Sequence, residues 1–404
     1  MSEFQFATAA KIVFGCGTSS QLGQFVKELK ATNIFIMHYK HLPLTPESAE
    51  ASGKGLFDLE SIKRNILASV PGATFATHII SGEPTLEVML DALQKAKDAH
   101  AELIVAYGGG SVIDTAKAVA GLAANGGDPL DYLEVVGLGK PLAKPALPVI
   151  AMPTTSGTGS EVTKNAVICC VPQKVKVSMR ADSLLPRVAL VDPLLTLKCP
   201  LEVTRNSGLD ALTQCIEPYV SCKHNPITDG LCREGIRRAA KSILAACNDP
   251  GCVSAREDMA IASLIGGISL ANAKLGLVHG FAGPLGGMLP NAPHGYLCAV
   301  FLAPVIAANI AAIRAEGRAG DDRLERFGEV ARIVTGRADA TPDDLAPWVE
   351  EVCKALKVQP LREFGFKEEM IPDLVRKVGN AGSTKGNPIV LPPEELEKII
   401  RVCM

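Results

Sequence analysis

Apolar positions follow two different rhythms along this chain, and the change comes near residue 198. Before it, short and largely apolar runs at 34–37, 74–80, 103–106, 149–152 and 188–191 alternate with stretches of helical period at 60–68, 85–99 and 112–123. Runs with few polar interruptions suit strands covered on both faces, as in a parallel sheet. The alternation predicts such a sheet with crossover helices, and ligands then bind beyond the carboxyl ends of its strands. From residue 200 onward the period is helical, over 202–220, 228–246, 255–273, 295–314, 321–335, 341–356, 367–380 and 392–402, and strand-like runs are few. The expected fold is an α/β domain with a parallel, Rossmann-like sheet over 1–198 and an all-α domain over 199–404, with the active site in the cleft between them. The segment 41–55, with two Pro, two Gly and two Ser, reads as a surface loop.

Composition narrows the class. A chain of 404 residues with 47% hydrophobic residues can bury a large core. Its net charge of −2, with no basic run, argues against nucleic acid as a partner. The most apolar stretch, 299–313, is too short to span a bilayer and contains Pro304 and Asn309, so it reads as a buried core helix and no membrane partner is expected. The first residues lack a basic segment followed by a long apolar one, which predicts a cytoplasmic protein. Twelve cysteines without any C-x-x-C pair read as reduced, buried thiols, not as a disulfide frame or a zinc cluster.

Two segments carry candidate chemistry. Leu103-Ile104-Val105-Ala106 leads through Tyr107 into Gly108-Gly109-Gly110-Ser111 and then into an Ala-rich helical pattern. A strand, a glycine turn and a helix start together make an anion site, because the backbone N–H groups can approach a phosphate and the helix end adds partial positive charge. The spacing is not G-x-G-x-x-G, so a standard dinucleotide turn does not follow from it. The second apolar run, 147–153, enters Thr154-Thr155-Ser156-Gly157-Thr158-Gly159, where four hydroxyls and two glycines can meet phosphate or ribose. Two such loops in one alternating half favour a nucleotide ligand over two structural turns.

These segments, GGGSxxDxxK at 108–117 and PTTxGTGSExT at 153–163, resemble the group III, or iron-containing, alcohol dehydrogenases. The resemblance runs nearly end to end, through Lys11-Ile12-Val13-Phe14-Gly15, Val191-Asp192-Pro193, Gly208-Leu209-Asp210-Ala211-Leu212-Thr213 and Gly386-Asn387-Pro388, with an insertion near 43–60. It implies NAD or NADP as cofactor, a divalent metal (Fe2+ or Zn2+), a small alcohol or carbonyl substrate and a homodimer. Gly108, Gly109, Gly110 and Ser111 would hold the pyrophosphate. Asp114 would bind the cofactor near the nicotinamide and, with His279, act in catalysis; Thr154, Thr155 and Thr158 would touch the cofactor, and Lys176 would lie near its ribose.

The same resemblance places Asp210, position 214, His279 and His294 around the metal, with His279 also in the reaction zone. Here 214 is Gln where the family usually has His, and Gly283 stands where many members carry a further His. The interval from His279 to His294 is one residue longer than the family's. A Gln amide is a poor ligand for iron or zinc, but an acid and two histidines still make a catalytic set. The remaining histidines, His38, His41, His78, His100 and His224, match no family site. No acid follows the strand at 34–37, and Lys40 could meet a 2′-phosphate, which favours acceptance of NADP. The expected reaction is metal-assisted hydride transfer between an alcohol and an aldehyde or ketone. The alternatives are a lyase or cyclase resembling dehydroquinate synthase, whose architecture is similar, and a nucleotide-binding protein that has lost catalysis.

Overall fold

The computed structural model describes residues 3–39, 58–171, 173, 175–318 and 321–404. Among these, the first half contains strands β1 (Ile12–Phe14), β2 (Asn33–Tyr39), β3 (Thr74–Ile80), β4 (Leu103–Gly108), β5 (Val149–Pro153), β6 (Asn165–Cys170), β7 (Val175–Arg180) and β8 (Val188–Val191). Between them lie helices α1 (Leu22–Glu28), α2 (Leu59–Ser69), α3 (Leu86–Asp98), α4 (Gly110–Asn125) and α5 (Pro129–Tyr132). Six strands form one parallel sheet in the order β1-β8-β5-β4-β2-β3. Alternate residues of the central strands face opposite ways, as the strand period requires. Phe35, Met37, Ile104, Ala106 and Ala151 pack under α3 and α4, while Ile34, Ile36, Leu103, Val105 and Ile150 pack under α1 and α2.

The chain leaves β2 toward β3 on one side of the sheet and leaves β4 toward β5 on the other. The crevice at the carboxyl ends of β2 and β4 is therefore the switch point where an α/β sheet receives its ligand. Gly108 ends β4 and Pro153 ends β5, so both candidate loops emerge at this edge. The loop expected at 41–55, and Lys40 with it, lie outside the described residues. The sequence pattern did not foretell the antiparallel hairpin β6–β7, which stands apart from the main sheet. Its residues alternate between buried and half-buried positions because only one face is covered.

Residues beyond 200 are helical: α6 (Leu201–Val220), α7 (Pro226–Asn248), α8 (Val253–Ala273), α9 (Leu277–Met288), α10 (His294–Glu316), α11 (Arg323–Thr335), α12 (Leu345–Ala355), α13 (Ile371–Asn380) and α14 (Pro393–Cys403). Helix α10 contains the 299–313 stretch, and its length and apolarity would suffice to cross a membrane. Most of it is instead enclosed by the protein's own core, among Phe281, Leu285, Val349 and Ile400. Helix α9 was missed by the period because Gly280, Gly283, Gly286, Gly287 and Pro284 interrupt it. The halves meet where Ala9, Val162, Ala189 and Val191 pack on Ala260, Leu264 and Ile268 of α8.

Candidate active site

The glycine turn is shaped by what it touches. Gly109 precedes α4 in extended backbone, and no side chain caps the helix start. A Cβ on Gly109 would sit 3.1 Å from the Thr155 hydroxyl, and one on Gly110 would sit 2.8 Å from Thr158. The two loops are thus packed against each other, and Thr154 ties them further by donating its N–H to the Gly108 carbonyl at 3.0 Å. An uncapped helix N-terminus beside close-packed glycines can receive an anion.

Asp114 is nearly enclosed, and its carboxylate is already engaged. Ser160 Oγ donates to its Oδ1 at 2.5 Å, and Lys117 Nζ lies 2.9 Å from the same oxygen. The Lys117 ammonium, fully buried, also donates to the Ser160 carbonyl and to Thr163 Oγ1, each at 3.0 Å. This pair locks the second loop onto α4. Glu161 lies in the same buried region. Desolvation, helped by the Asp114 charge and opposed by Lys117, pushes its carboxyl up to about 7. Lys176 extends from β7 to an ion pair with Glu83 at 2.9 Å, and a Cβ on Gly286 of α9 would lie 3.1 Å from its stem. It therefore sits where the hairpin meets the helical half.

In that half, Asp210, His279 and His294 come together. Asp210 Oδ1 lies 3.3 Å from His279 Nε2, and the two imidazole rings are 5.4 Å apart. Glycine makes this convergence possible. A Cβ on Gly295 would lie 2.0 Å from the Asn206 carbonyl and 2.9 Å from Asp210 Cβ, so only glycine lets the start of α10 approach α6 closely enough.

Two residues that sequence reasoning did not single out complete the centre. Glu217 follows Asp210 and Gln214 on one face of α6, at the i, i+4, i+7 spacing that could have revealed it. Its Oε2 lies 2.5 Å from His279 Nδ1 and its Oε1 accepts the Val278 N–H at 2.7 Å. Asn387, from the C-terminal signature, accepts the Leu277 N–H at 3.1 Å. These side chains satisfy the first turn of α9, where a helix has unpaired donors and favours negative charge. The second is Cys298, one turn after His294 on α10 and fully buried. Its sulfur lies 3.6 Å from His279 Nε2, 3.7 Å from Asp210 Oδ1 and 3.9 Å from His294 Nε2. One donor atom from each of Asp210, His279, His294 and Cys298 falls within 4.8 Å of all the others.

Electrostatics follow this packing. Burial opposes charge on Asp210, but its hydrogen bond to His279 and the two imidazoles outweigh it and hold the carboxyl below its ordinary value. Burial likewise opposes charge on His279, yet Cys298, Glu217 and Asp210 facing it push the imidazole well above its usual range. His294 is driven down to about 4 by burial, with His279 and Lys176 adding to the effect against Asp210. Burial pushes the Cys298 thiol up to about 12. An anionic oxygen, two imidazoles and a thiol converging on one point form a donor set that fits a divalent ion.

Gln214 lies beside this cluster. Its Nε2 donates 3.2 Å to the Gly157 carbonyl, its amide also hydrogen-bonds Asp210, and its Oε1 is buried with no partner among the described residues. Gly283 faces open space, with nothing within 4 Å of where its Cβ would be. The loop containing Gly157 docks on the helical half. A Cβ on Gly157 would lie 2.6 Å from Ser207, and one on Gly159, whose φ is +59°, would lie 2.4 Å from Gly267.

Comparisons with known proteins agree with this layout. Residues 9–193 match the model described as "Iron-containing alcohol dehydrogenase", and residues 204–404 match that of the "Fe-containing alcohol dehydrogenase family, C-terminal". Alcohol dehydrogenase 4 of Saccharomyces cerevisiae (strain ATCC 204508 / S288c) is 35% identical over 319 residues, 79% of this chain and 80% of that one. The NAD-dependent methanol dehydrogenase of Bacillus methanolicus is 31% identical over 396 residues, 96% of this chain and 97% of that one. The solved alcohol dehydrogenase from Oenococcus oeni superposes with a TM-score of 0.87 at 28% identity, with all of both chains covered.

Proposed function

The chain belongs to the iron-containing alcohol dehydrogenase family, and from that premise we propose that it transfers hydride between NAD(P) and a small alcohol or carbonyl compound in the cleft between its halves. The observation that supports this most is the convergence of two phosphate-type loops and a four-donor cluster on one seam, joined by the hydrogen bond from Gln214 to Gly157. Hydride chemistry belongs to the nicotinamide, and the chain's contribution is to hold and orient it. Gly109, Gly110 and Ser111, at the uncapped start of α4, receive the pyrophosphate. Thr154, Thr155 and Thr158 close over it from the second loop. Asp114, bound to Lys117 and Ser160, positions that loop and does not react itself. Lys176 presents a cation at the junction, within the electrostatic reach of His294.

Asp210, His279 and His294 would hold a divalent ion, which when bound supplies Lewis-acid polarisation of the substrate oxygen. Glu217 fixes His279 so that Nε2 points into the cluster. The space beside Gly283 offers no imidazole, so a water chain or the substrate itself must fill it. Dinucleotide choice leans toward acceptance of NADP, on the absence of an acid after β2.

The test is oxidation of NADH and of NADPH by a panel of short aldehydes, ketones and keto acids, with purified protein reconstituted with Fe2+ or with Zn2+. Net oxidation by any member of the panel supports the reading. Dinucleotide binding without oxidation under either metal would replace it with a binding role.

A further inference from the structure

The family's four-donor pattern has a gap in this chain, and a different side chain stands ready to fill it. Gln214 replaces the expected imidazole and turns its nitrogen to the Gly157 carbonyl, so the amide serves the contact between loop and helix. Cys298 approaches the same three donors from α10. We infer that Cys298 is the fourth metal ligand, so that the centre is an Asp210/His279/His294/Cys298 site with a preference for zinc over iron.

The distances carry this. With bonds of roughly 2.3 Å to sulfur and 2.0–2.2 Å to nitrogen or oxygen, the edges of a tetrahedron measure roughly 3.3–3.6 Å. The observed sulfur separations of 3.6, 3.7 and 3.9 Å and the Asp210–His279 separation of 3.3 Å lie close to those edges. A structural thiol packed against apolar neighbours has no reason to face a carboxylate and two imidazoles at once. The i, i+4 spacing of His294 and Cys298 puts both donors on one face of α10, as a chelating pair requires. Ion uptake requires a thiolate and neutral imidazoles, so the Cys298 thiol and the His279 imidazolium each release a proton to solvent. A thiolate among nitrogen and oxygen donors shifts the preference from iron(II) toward the softer zinc. The number of protein donors remains that of the family, with sulfur in place of imidazole, and the substrate oxygen would enter as a fifth donor.

The inference rests on the reading that Asp210, His279 and His294 hold a divalent ion, and the test separates the two. Full-length protein is stripped of metal and titrated with Co2+, then with Zn2+ in competition with a chelating dye. The wild-type chain, Cys298→Ser, Cys298→Ala and His279→Ala are compared. One Co2+ per chain is expected, with a near-ultraviolet sulfur-to-cobalt charge-transfer band that both Cys298 variants lose while their visible bands persist. Zinc affinity should fall by more than about 100-fold in both, beyond the roughly 10–100-fold typical of losing an outer partner. Binding of one ion that needs His279, without the band and with equal affinity in the Cys298 variants, would remove Cys298 and leave the metal reading intact. A band that survives in Cys298→Ser would assign the sulfur to another cysteine and also overturn the inference. Absence of stoichiometric binding in the wild-type chain would remove both.

Discussion

The Glu217 carboxylate holds the His279 ring and the backbone of the residue before it at once. Oε2 meets Nδ1 at 2.5 Å, and Oε1 takes the N–H of the neighbouring Val278 at 2.7 Å. One side chain thereby sets both the rotation of the imidazole and the start of the helix that carries it. Glu217→Gln preserves size and removes the charge. It is expected to lower metal affinity on the order of 10–100-fold, with the far-ultraviolet circular dichroism unchanged. Zinc competition with a chelating dye measures this, and an unaltered affinity would reduce Glu217 to a helix-capping role.

The packing of Gly110 against Thr158 leaves no room for a side chain in the turn between β4 and α4. Gly110→Asp places both bulk and negative charge where a pyrophosphate would lie, and NADH affinity by fluorescence titration should drop by more than about 10-fold, roughly 1.4 kcal/mol or more. Gly110→Ala, which adds bulk alone, should lose less. Full affinity in a folded Gly110→Asp variant would move the cofactor elsewhere.

Gly283 offers the opposite situation, since a side chain there meets open space. Gly283→His should fold with stability within about 0.5 kcal/mol of the parent, because His suits a helix slightly better than Gly. It introduces a group that titrates near neutrality, so the pH–rate profile should acquire a new inflection between about pH 6 and 7. The range of accepted carbonyl compounds should narrow as the space fills. A profile and a substrate range both identical to the parent's would place Gly283 outside the reacting zone.

Glu161 gives a pH dependence of stability. Burial raises its carboxyl to about 7 in the folded chain, against 4.5 for an unperturbed group. Because the folded pKa is the higher one, the contribution to stability is fully present below about pH 4.5 and is lost as the pH rises through about 7. Glu161→Gln cannot ionise, so its stability relative to the parent should improve from pH 5 to pH 8, by about 1–3 kcal/mol. Urea midpoints for the two proteins at both pH values measure this, and a difference that does not change with pH would show that Lys117 keeps the carboxylate charged throughout.

The central strands of the sheet were legible because they are covered on both faces. The runs at 74–80 and 188–191 match β3 and β8 to the residue, those at 34–37, 103–106 and 149–152 match β2, β4 and β5 to within two positions, and β1 was read only through the family resemblance. The hairpin β6–β7 escaped although 166–171 is a continuous apolar run; in β7 the open face places Lys176 and Ser178 between apolar residues. The Asp210, His279 and His294 cluster was legible only through the family motifs, since their spacing in sequence spans three helices. Cys298 was hidden because it has no second cysteine near it in sequence to suggest a ligand pair. Its partners are histidines and an acid, and only the close approach of α10 to α6 at Gly295 brings them together.

The loop around Gly157 and Gly159 bears on how this architecture can be recombined. In sequence it belongs with the sheet, yet its backbone rests directly on Gly267 and Ser207, and its Gly157 carbonyl is taken by Gln214. A chimera cut near residue 198 would pair this loop with a foreign helical half. Any bulkier residue at the positions of Ser207 or Gly267 would then lift it from its seat. The unit that can be exchanged intact therefore comprises the helices together with residues 154–163, although more than thirty residues of chain separate the two segments.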